Sequence, residues 1–241
     1  MSRNDEAAAR VGGAVAGTAA TAGRTEFAFD SADGKSQVRA VLWVPLTMER
    51  TDSASGEPEL GCFKPRGVVQ LIHGMAEHID RYDDFARFLA DAGYLVAGHD
   101  HIGHGETAGT PKRRGVIDAE GGANAMIEDA QTLRLLVSQQ VAPGTPYFMF
   151  GHSMGSLVLR SYLPRFGQGL AGAVICGTAN EATAVSLTGN LAARAIAAVR
   201  GDDYRSSLLH ALADGAYSRA IKNARTPFDW LSRDPSVADA F

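Results

Sequence analysis

This sequence has little cysteine, no long apolar run and no excess of one sign of charge. Its two cysteines, Cys62 and Cys176, have neither the CxxC nor the CxxH spacing of a zinc site, and two cysteines do not form a disulfide framework. No stretch reaches the roughly 18 apolar residues that a membrane-spanning helix needs, and 27 acidic residues are interspersed with 23 basic ones. These features argue against a metal centre, a nucleic-acid surface and a membrane anchor, and they favour the reducing cytoplasm.

The N-terminal segment also lacks the features of a secretory signal. Residues 1–23 are rich in Ala, Gly and Thr, they include Asp5 and Glu6, and they show neither a basic start nor a strongly apolar run. We therefore predict a disordered tail over residues 1–23.

The sequence does contain a regular alternation of short apolar runs with helical patterns. Two runs of β-forming residues on either side of Asp33-Gly34 predict a hairpin, and the later apolar runs fit buried strands separated by helices. Strands are predicted at residues 26–29, 37–44, 68–72, 94–97, 147–150 and 173–176, and helices at 82–92, 126–137 and 157–163, where Pro164 ends the third. This order predicts an α/β fold with a mostly parallel sheet flanked by helices over residues 24–178.

The pattern changes after Thr178. Residues 182–199 and 206–221 are Ala-rich with helical spacing, and no further run resembles a strand. We predict that residues 179–241 form a helical insertion beside the sheet.

The strongest chemical motif is Gly151-His152-Ser153-Met154-Gly155, which has the form G-x-S-x-G and lies between a predicted strand and a predicted helix. A sharp turn at this place pushes a serine hydroxyl outward, and the glycines leave room for the strained backbone. The backbone N–H of Met154, at the start of the helix, can then bind an oxyanion. Ser153 is therefore the candidate nucleophile, although glycine-rich turns that contain serine also occur as plain structural turns.

Together with three further motifs, this one resembles the monoacylglycerol lipase, lysophospholipase and serine-aminopeptidase-like branch of the α/β-hydrolases. The resemblance covers roughly residues 25–180. The motifs occur in the order His73-Gly74-Met75-Ala76-Glu77-His78, Arg81-Tyr82, Asp100-His101-Ile102-Gly103-His104-Gly105 and the segment around Ser153.

The resemblance implies hydrolysis of carboxylic esters without a cofactor, and it makes the helical insertion a cap. The backbone N–H of Met75, after His73-Gly74, becomes the second oxyanion donor. His73 is a loop organiser in this interpretation, because it precedes the nucleophile. Arg81 and Tyr82 would begin the first helix, and residues 100–105 would shape a loop near the site.

A rival interpretation concerns three histidines. His99, His101 and His104 almost match the H-x-H-x-D-H metal signature, in which three imidazoles bind zinc. Gly103 occupies the position of the aspartate, however. We therefore expect no metal at these histidines and at least one of them in the core. The third glycine of a dinucleotide-binding G-x-G-x-x-G is also missing after Gly105.

The acid and base of a catalytic triad are not evident in this chain. In this fold they follow the nucleophile, in the order Asp or Glu and then His, and the only histidine after Ser153 is His210. His210 falls in a leucine-rich helical pattern, while Glu181, Asp229, Asp234 and Asp239 follow no further predicted strand. We expect the segments that carry the acid and base to be missing from residues 1–241, and the strand at 173–176 to present an unpaired edge.

Three functions stay open at this point. The first is a serine hydrolase that cleaves acylglycerol-like or lysophospholipid-like esters and is impaired in this chain by the missing base. The second is amide hydrolysis or acyl transfer on the same fold, and the third is a non-catalytic or vestigial binding protein. A small acyl ester or lipid-like substrate is the expected partner, and the sequence does not indicate an oligomeric state.

Overall fold

A computed structural model describes residues 23–45, 64–118, 121–180, 183–201, 204–213, 221–226 and 228–239 of the chain. Residues 1–22 of the predicted tail, Cys62 and Glu181 lie outside these ranges. The chain divides into two compact units, Met1–Ala179 and Asn180–Phe241. The assignment of the second unit as a helical cap stays a prediction.

The first unit contains a six-stranded sheet in the order β1-β2-β4-β3-β5-β6. Strands β1 and β2 form an antiparallel hairpin, β2 also pairs antiparallel with β4, and all later pairings are parallel. The predicted mostly parallel sheet is confirmed. The strands are β1 (Arg24–Asp30), β2 (Gln37–Trp43), β3 (Val68–Ile72), β4 (Leu95–His99), β5 (Tyr147–His152) and β6 (Gly172–Cys176).

Helices cover both faces of this sheet, as predicted. They are α1 (Asp83–Asp91), α2 (Gly122–Ser138) and α3 (Met154–Phe166), with short 3-10 turns at Ile79–Tyr82 and Pro111–Arg113. One buried cluster joins α2 and α3 to the sheet through residues such as Ile72, Leu133 and Leu159. A second joins α1 to the other face through Leu71 and Val96. Leu71 and Ile72 enter different clusters because successive side chains of a strand point to opposite faces.

Two predicted helix boundaries were wrong. Arg81 and Tyr82 belong to the 3-10 turn Ile79–Tyr82 rather than to α1. Helix α3 continues past Pro164 to Phe166. Pro164 has no N–H and its ring crowds the carbonyl four residues before it, but in the last turn this disturbs a single hydrogen bond, and α3 continues for two more residues.

The described part of the second unit contains α4 (Thr183–Arg200), α5 (Ser207–Ala213) and α6 (Pro235–Asp239), and turns and bends over 221–226 and 228–234. The long helix predicted at 206–221 was wrong at its end, because Ile221 lies in a bend. Residues 214–220 lie outside the described ranges. Of the helices that the structure describes, none is both long and apolar enough to span a membrane.

Candidate active site

Ser153 occupies the single-residue junction between β5 and α3. Its backbone has φ 51° and ψ −118°, a region that L-residues rarely adopt, and such a conformation costs of order 1–3 kcal/mol. The residue is exposed, while Gly151, Gly155 and Ser156 around it are buried. The turn therefore brings the Ser153 side chain to the surface at the C-terminal end of β5, which pairs with β3 and β6.

Close packing under this turn requires the two glycines of the motif. A Cβ at position 155 would lie 2.1 Å from the carbonyl oxygen of Ile72, and a Cβ at position 151 would lie 2.5 Å from the carbonyl oxygen of Gly155. The start of α3 thus rests directly on the end of β3. This contact brings the loop that follows β3 next to Ser153.

That loop begins with His73-Gly74-Met75. A Cβ built on Gly74 would lie 3.1 Å from the Cβ of Ser153 and 3.3 Å from the carbonyl oxygen of His152, so the Gly74 backbone borders the serine. No hydrogen-bond acceptor for the N–H of Met75 or of Met154 lies among the described residues. Both predicted oxyanion donors are thus free to bind an external atom.

Glu77 ties this loop to the serine turn, a role that the sequence did not reveal. Its Oε1 accepts hydrogen bonds from the backbone N–H of Gly74, from the hydroxyl of Tyr82 at 2.8 Å and from Nδ1 of His152 at 3.3 Å. Burial alone would raise the pKa of Glu77, but these donors outweigh it and the pKa is lowered. Burial and the neighbouring Glu77 carboxylate raise the pKa of Tyr82.

Asp100 likewise binds backbone N–H groups, at the C-terminal end of the loop 73–79 and in the loop 100–106. This fully buried carboxylate accepts the backbone N–H of Ile79 at 2.8 Å and that of Glu106 at 3.0 Å. Its counter-charge is Arg39 on β2, with Nη1 at 3.3 Å. The Asp100 carboxylate therefore holds the loops at 73–79 and 100–106 together. Its ion pair with Arg39 offsets the cost of burying its charge.

The histidines at 99, 101 and 104 are buried in the interior beside His73. Among the described residues, the ring nitrogens of His99 and His101 have no hydrogen-bond partner. Nδ1 of His104 donates to the carbonyl oxygen of Ile102 at 3.0 Å. Within the described part of the chain, no cluster of His, Cys, Asp and Glu has the geometry to hold a metal ion. Burial lowers the pKa of His99 to about 3 and that of His101 well below its usual value, so these rings are neutral at physiological pH.

The candidate acid and base residues all fall in the second unit, Asn180–Phe241. His210 falls in α5 of the second unit, and its side chain lies outside the described residues. Asp229 and Asp234, in the same unit, accept hydrogen bonds from Thr226 and Ser236 in local turns. The identity of the base stays open.

Comparison with known proteins places the chain in a family of hydrolases. The profile of the serine aminopeptidase S33 family matches residues 63–241. The monoacylglycerol lipase of Mycolicibacterium smegmatis is 34% identical over 179 residues, which are 73% of this chain and 55% of that enzyme. The monoglyceride lipase of Mus musculus is 32% identical over 109 residues, 44% of this chain and 34% of the mouse enzyme. The chain thus spans about half the length of the Mycolicibacterium smegmatis lipase.

A solved structure gives the same result at the level of the fold. A thermostable carboxyl esterase from Bacillus coagulans is similar with a TM-score of 0.74 and 35% identity, over 91% of this chain and 64% of the esterase. The profile match covers well over half of the chain, and all four motifs lie within the matched residues 63–241. The chain belongs to the serine aminopeptidase S33 family of the α/β-hydrolases, in its monoglyceride-lipase-like branch.

Proposed function

We propose that this chain carries the nucleophile and the oxyanion hole of a serine hydrolase that cleaves carboxylic esters of the monoacylglycerol or lysophospholipid type. The observation that supports this most is the exposed, strained Ser153 beside Gly74, with the N–H groups of Met75 and Met154 unengaged. Two relatives are named monoacylglycerol or monoglyceride lipase, which favours such substrates over other acyl compounds.

In this proposal the Ser153 hydroxyl attacks the ester carbonyl and its proton passes to a base. The carbonyl oxygen becomes an oxyanion, which the N–H groups of Met75 and Met154 stabilise, and collapse expels the alcohol to leave an acyl-serine. Water then releases the fatty acid by the same route. His73, Gly74, Gly151, His152 and Gly155 shape the site without taking a proton from Ser153.

We further propose that residues 1–241 alone hydrolyse esters very slowly or not at all. Ser153 needs a neutral imidazole within about 3 Å. His73, His99 and His101 are buried with lowered pKa values, and Nδ1 of His152 faces Glu77. Without base and acid, a serine hydrolase loses roughly 10⁴ to 10⁶ in kcat.

The test is hydrolysis of p-nitrophenyl esters and of a monoacylglycerol by the purified chain, with Ser153→Ala as the blank. Turnover at the level of a complete esterase, abolished in Ser153→Ala, would refute the proposed impairment. Loss of that turnover in His210→Ala as well would identify His210 as the base. Turnover that Ser153→Ala leaves unchanged would refute the nucleophile itself, and cleavage of a matched anilide in preference to the ester would favour an amidase.

A further inference from the structure

His73 is fixed in one protonation state by its two backbone contacts. Its Nδ1 lies 2.7 Å from the carbonyl oxygen of Gly74, and a carbonyl only accepts, so Nδ1 carries the proton. Its Nε2 accepts the backbone N–H of His101 at 3.0 Å and therefore carries none. The acceptor and donor chemistry of the backbone thus selects the neutral Nδ1–H tautomer.

The surroundings of the ring maintain this state. His73 is fully buried, and its ring lies 4.3 Å from that of His101 and 5.4 Å from that of His104, measured between centroids. Burial, opposed by the hydrogen bond to Gly74 and by the charges of Asp100 and Glu77, lowers the pKa of His73 to about 4. The ring therefore stays neutral near pH 7, with one donor and one acceptor.

The carbonyl that His73 holds belongs to the peptide unit that carries the Met75 N–H. A trans peptide is planar, so its C=O and N–H point in opposite directions. When the Gly74 carbonyl points to the buried imidazole, the Met75 N–H points away from the histidine cluster. The N–H of Gly74, in the preceding peptide, is bound by Glu77. A flip of the Gly74–Met75 peptide would therefore break the bond to His73 while the His73–Gly74 peptide stays fixed.

We propose that His73 is a positioning residue, which orients the Gly74–Met75 peptide through its Nδ1–H and so aims the Met75 N–H at the oxyanion. This inference rests on the proposed function, because it assigns a cause to the direction of one oxyanion donor. The two contacts of His73 then have different roles. The donor contact to the Gly74 carbonyl sets the direction of the Met75 N–H, and the acceptor contact to His101 contributes to stability only.

Two variants separate these contacts. In His73→Asn the amide nitrogen takes the place of Nδ1 and keeps the donor to Gly74, while the acceptor for His101 is lost. In His73→Gln the amide lies at the place of Nε2, which keeps an acceptor for His101 and removes the donor to Gly74. Both variants lose the imidazole ring and its contacts with His101 and His104, so each is the control for the other.

The rate is read with a fluorophosphonate probe at raised pH and long incubation, so that hydroxide takes the proton that a catalytic base would take. When the probe reacts, the Oγ–P bond of Ser153 forms, the P–F bond breaks, fluoride leaves, and the hydroxyl proton passes to hydroxide. The phosphoryl oxygen needs the same donors as an ester oxyanion. Removal of one such donor costs about 10² to 10³ in rate, so His73→Gln is expected to lower the maximal labelling rate at least about tenfold, with the half-saturating probe concentration unchanged. His73→Asn is expected to stay within about threefold of the parent chain.

Equal labelling rates in the two variants, or a greater loss in His73→Asn, would overturn the proposal. A long-range proton–nitrogen NMR spectrum of the parent chain tests the proposal independently, because it reports the tautomer of His73. An Nε2–H tautomer would also overturn the proposal. Labelling that persists in Ser153→Ala contradicts the proposed function instead. In that event the spectrum, together with the Met75 amide shift in the two variants, still decides whether His73 orients this peptide.

Discussion

Gly155→Ala tests whether the contact between α3 and the end of β3 is as close as the structure shows. The new Cβ would lie 2.1 Å from the carbonyl oxygen of Ile72 and 2.5 Å from that of His73. The shorter distance is about 1.3 Å below the 3.4 Å at which ordinary contact begins. Both neighbours are backbone atoms and cannot move aside by rotating a side chain. The helix or the strand end must therefore shift by roughly 1 Å.

Two energies oppose each other in this variant. Alanine is favoured over glycine in a helix by up to about 1 kcal/mol, and overpacking a tight site costs typically about 1–3 kcal/mol. The clash wins because it involves two carbonyls of the same chain segment. With the helix gain subtracted from a clash cost near the upper end of its range, we expect a free energy of unfolding about 1–2 kcal/mol lower. The shift also moves His73-Gly74, and a misplacement of 1 Å can cost about 10²-fold in rate, so labelling of Ser153 should slow by about that factor.

The measurements are urea unfolding followed by circular dichroism and fluorophosphonate labelling followed by mass spectrometry. Ser161→Ala is the control, since Ser161 is exposed on the same helix and alanine there should change stability by no more than about 0.5 kcal/mol. A Gly155→Ala chain that unfolds within 0.5 kcal/mol of the parent and labels at the parent rate would show that the turn does not rest on β3 in the way described.

Three further predictions concern buried polar groups. His99→Leu removes two ring nitrogens that have no partner in the part of the chain that the structure describes. Because the pKa of His99 falls from 6.5 unfolded to about 3 folded, the parent loses stability as pH drops below 6.5, and the variant should unfold at lower pH in an acid titration. An acid midpoint equal to that of the parent would contradict this. Burial raises the pKa of Asp129 to about 6 from 3.8, so its contribution to stability is full below about pH 4 and is lost as pH rises through 6. In urea titrations the parent should therefore lose about 3 kcal/mol of unfolding free energy relative to Asp129→Asn between these pH values. A difference between the two chains that does not change with pH would contradict this prediction. Tyr147→Phe leaves Oε1 of buried Gln70 without its 2.7 Å donor and should cost about 1–3 kcal/mol of unfolding free energy; an unchanged urea midpoint would mean that Gln70 finds another donor.

The fold could be predicted from the sequence because its signals are local. Apolar runs such as 68–72 and 147–150 fall within the observed β3 and β5, and the strand–helix alternation leaves few arrangements for a parallel sheet. The Asp33-Gly34 turn also lies where its residue types predict, with Gly34 at φ 69°. The errors occurred at element ends, as with Tyr82 and Pro164, where hydrogen bonding decides the boundary and periodicity carries little information.

The site could be predicted only in part, for a physical reason. Ser153 and Gly74 belong to motifs with special backbone requirements, and such requirements are visible in residue types. The role of Glu77 depends on contacts with Tyr82 and His152, up to 75 positions away. A carboxylate in a loop motif does not indicate which donors will reach it. Its one sequence signal was its position three residues after Gly74, within reach of that N–H.

The loops of the site depend on buried polar groups more than on apolar packing, and this couples stability to function. Asp100, His73 and Glu77 each bind a backbone N–H of residues 73–106, and the first two are fully buried. A buried polar group deprived of its partner costs about 1–3 kcal/mol, so each contact resists displacement of the loop. Two contacts define where the free N–H of Met75 lies: the bond from Nδ1 of His73 to the Gly74 carbonyl and the bond from the Gly74 N–H to Glu77. Substitutions here should therefore change the labelling rate and the unfolding free energy together, except where a variant such as His73→Asn keeps the one contact that sets the direction of the donor.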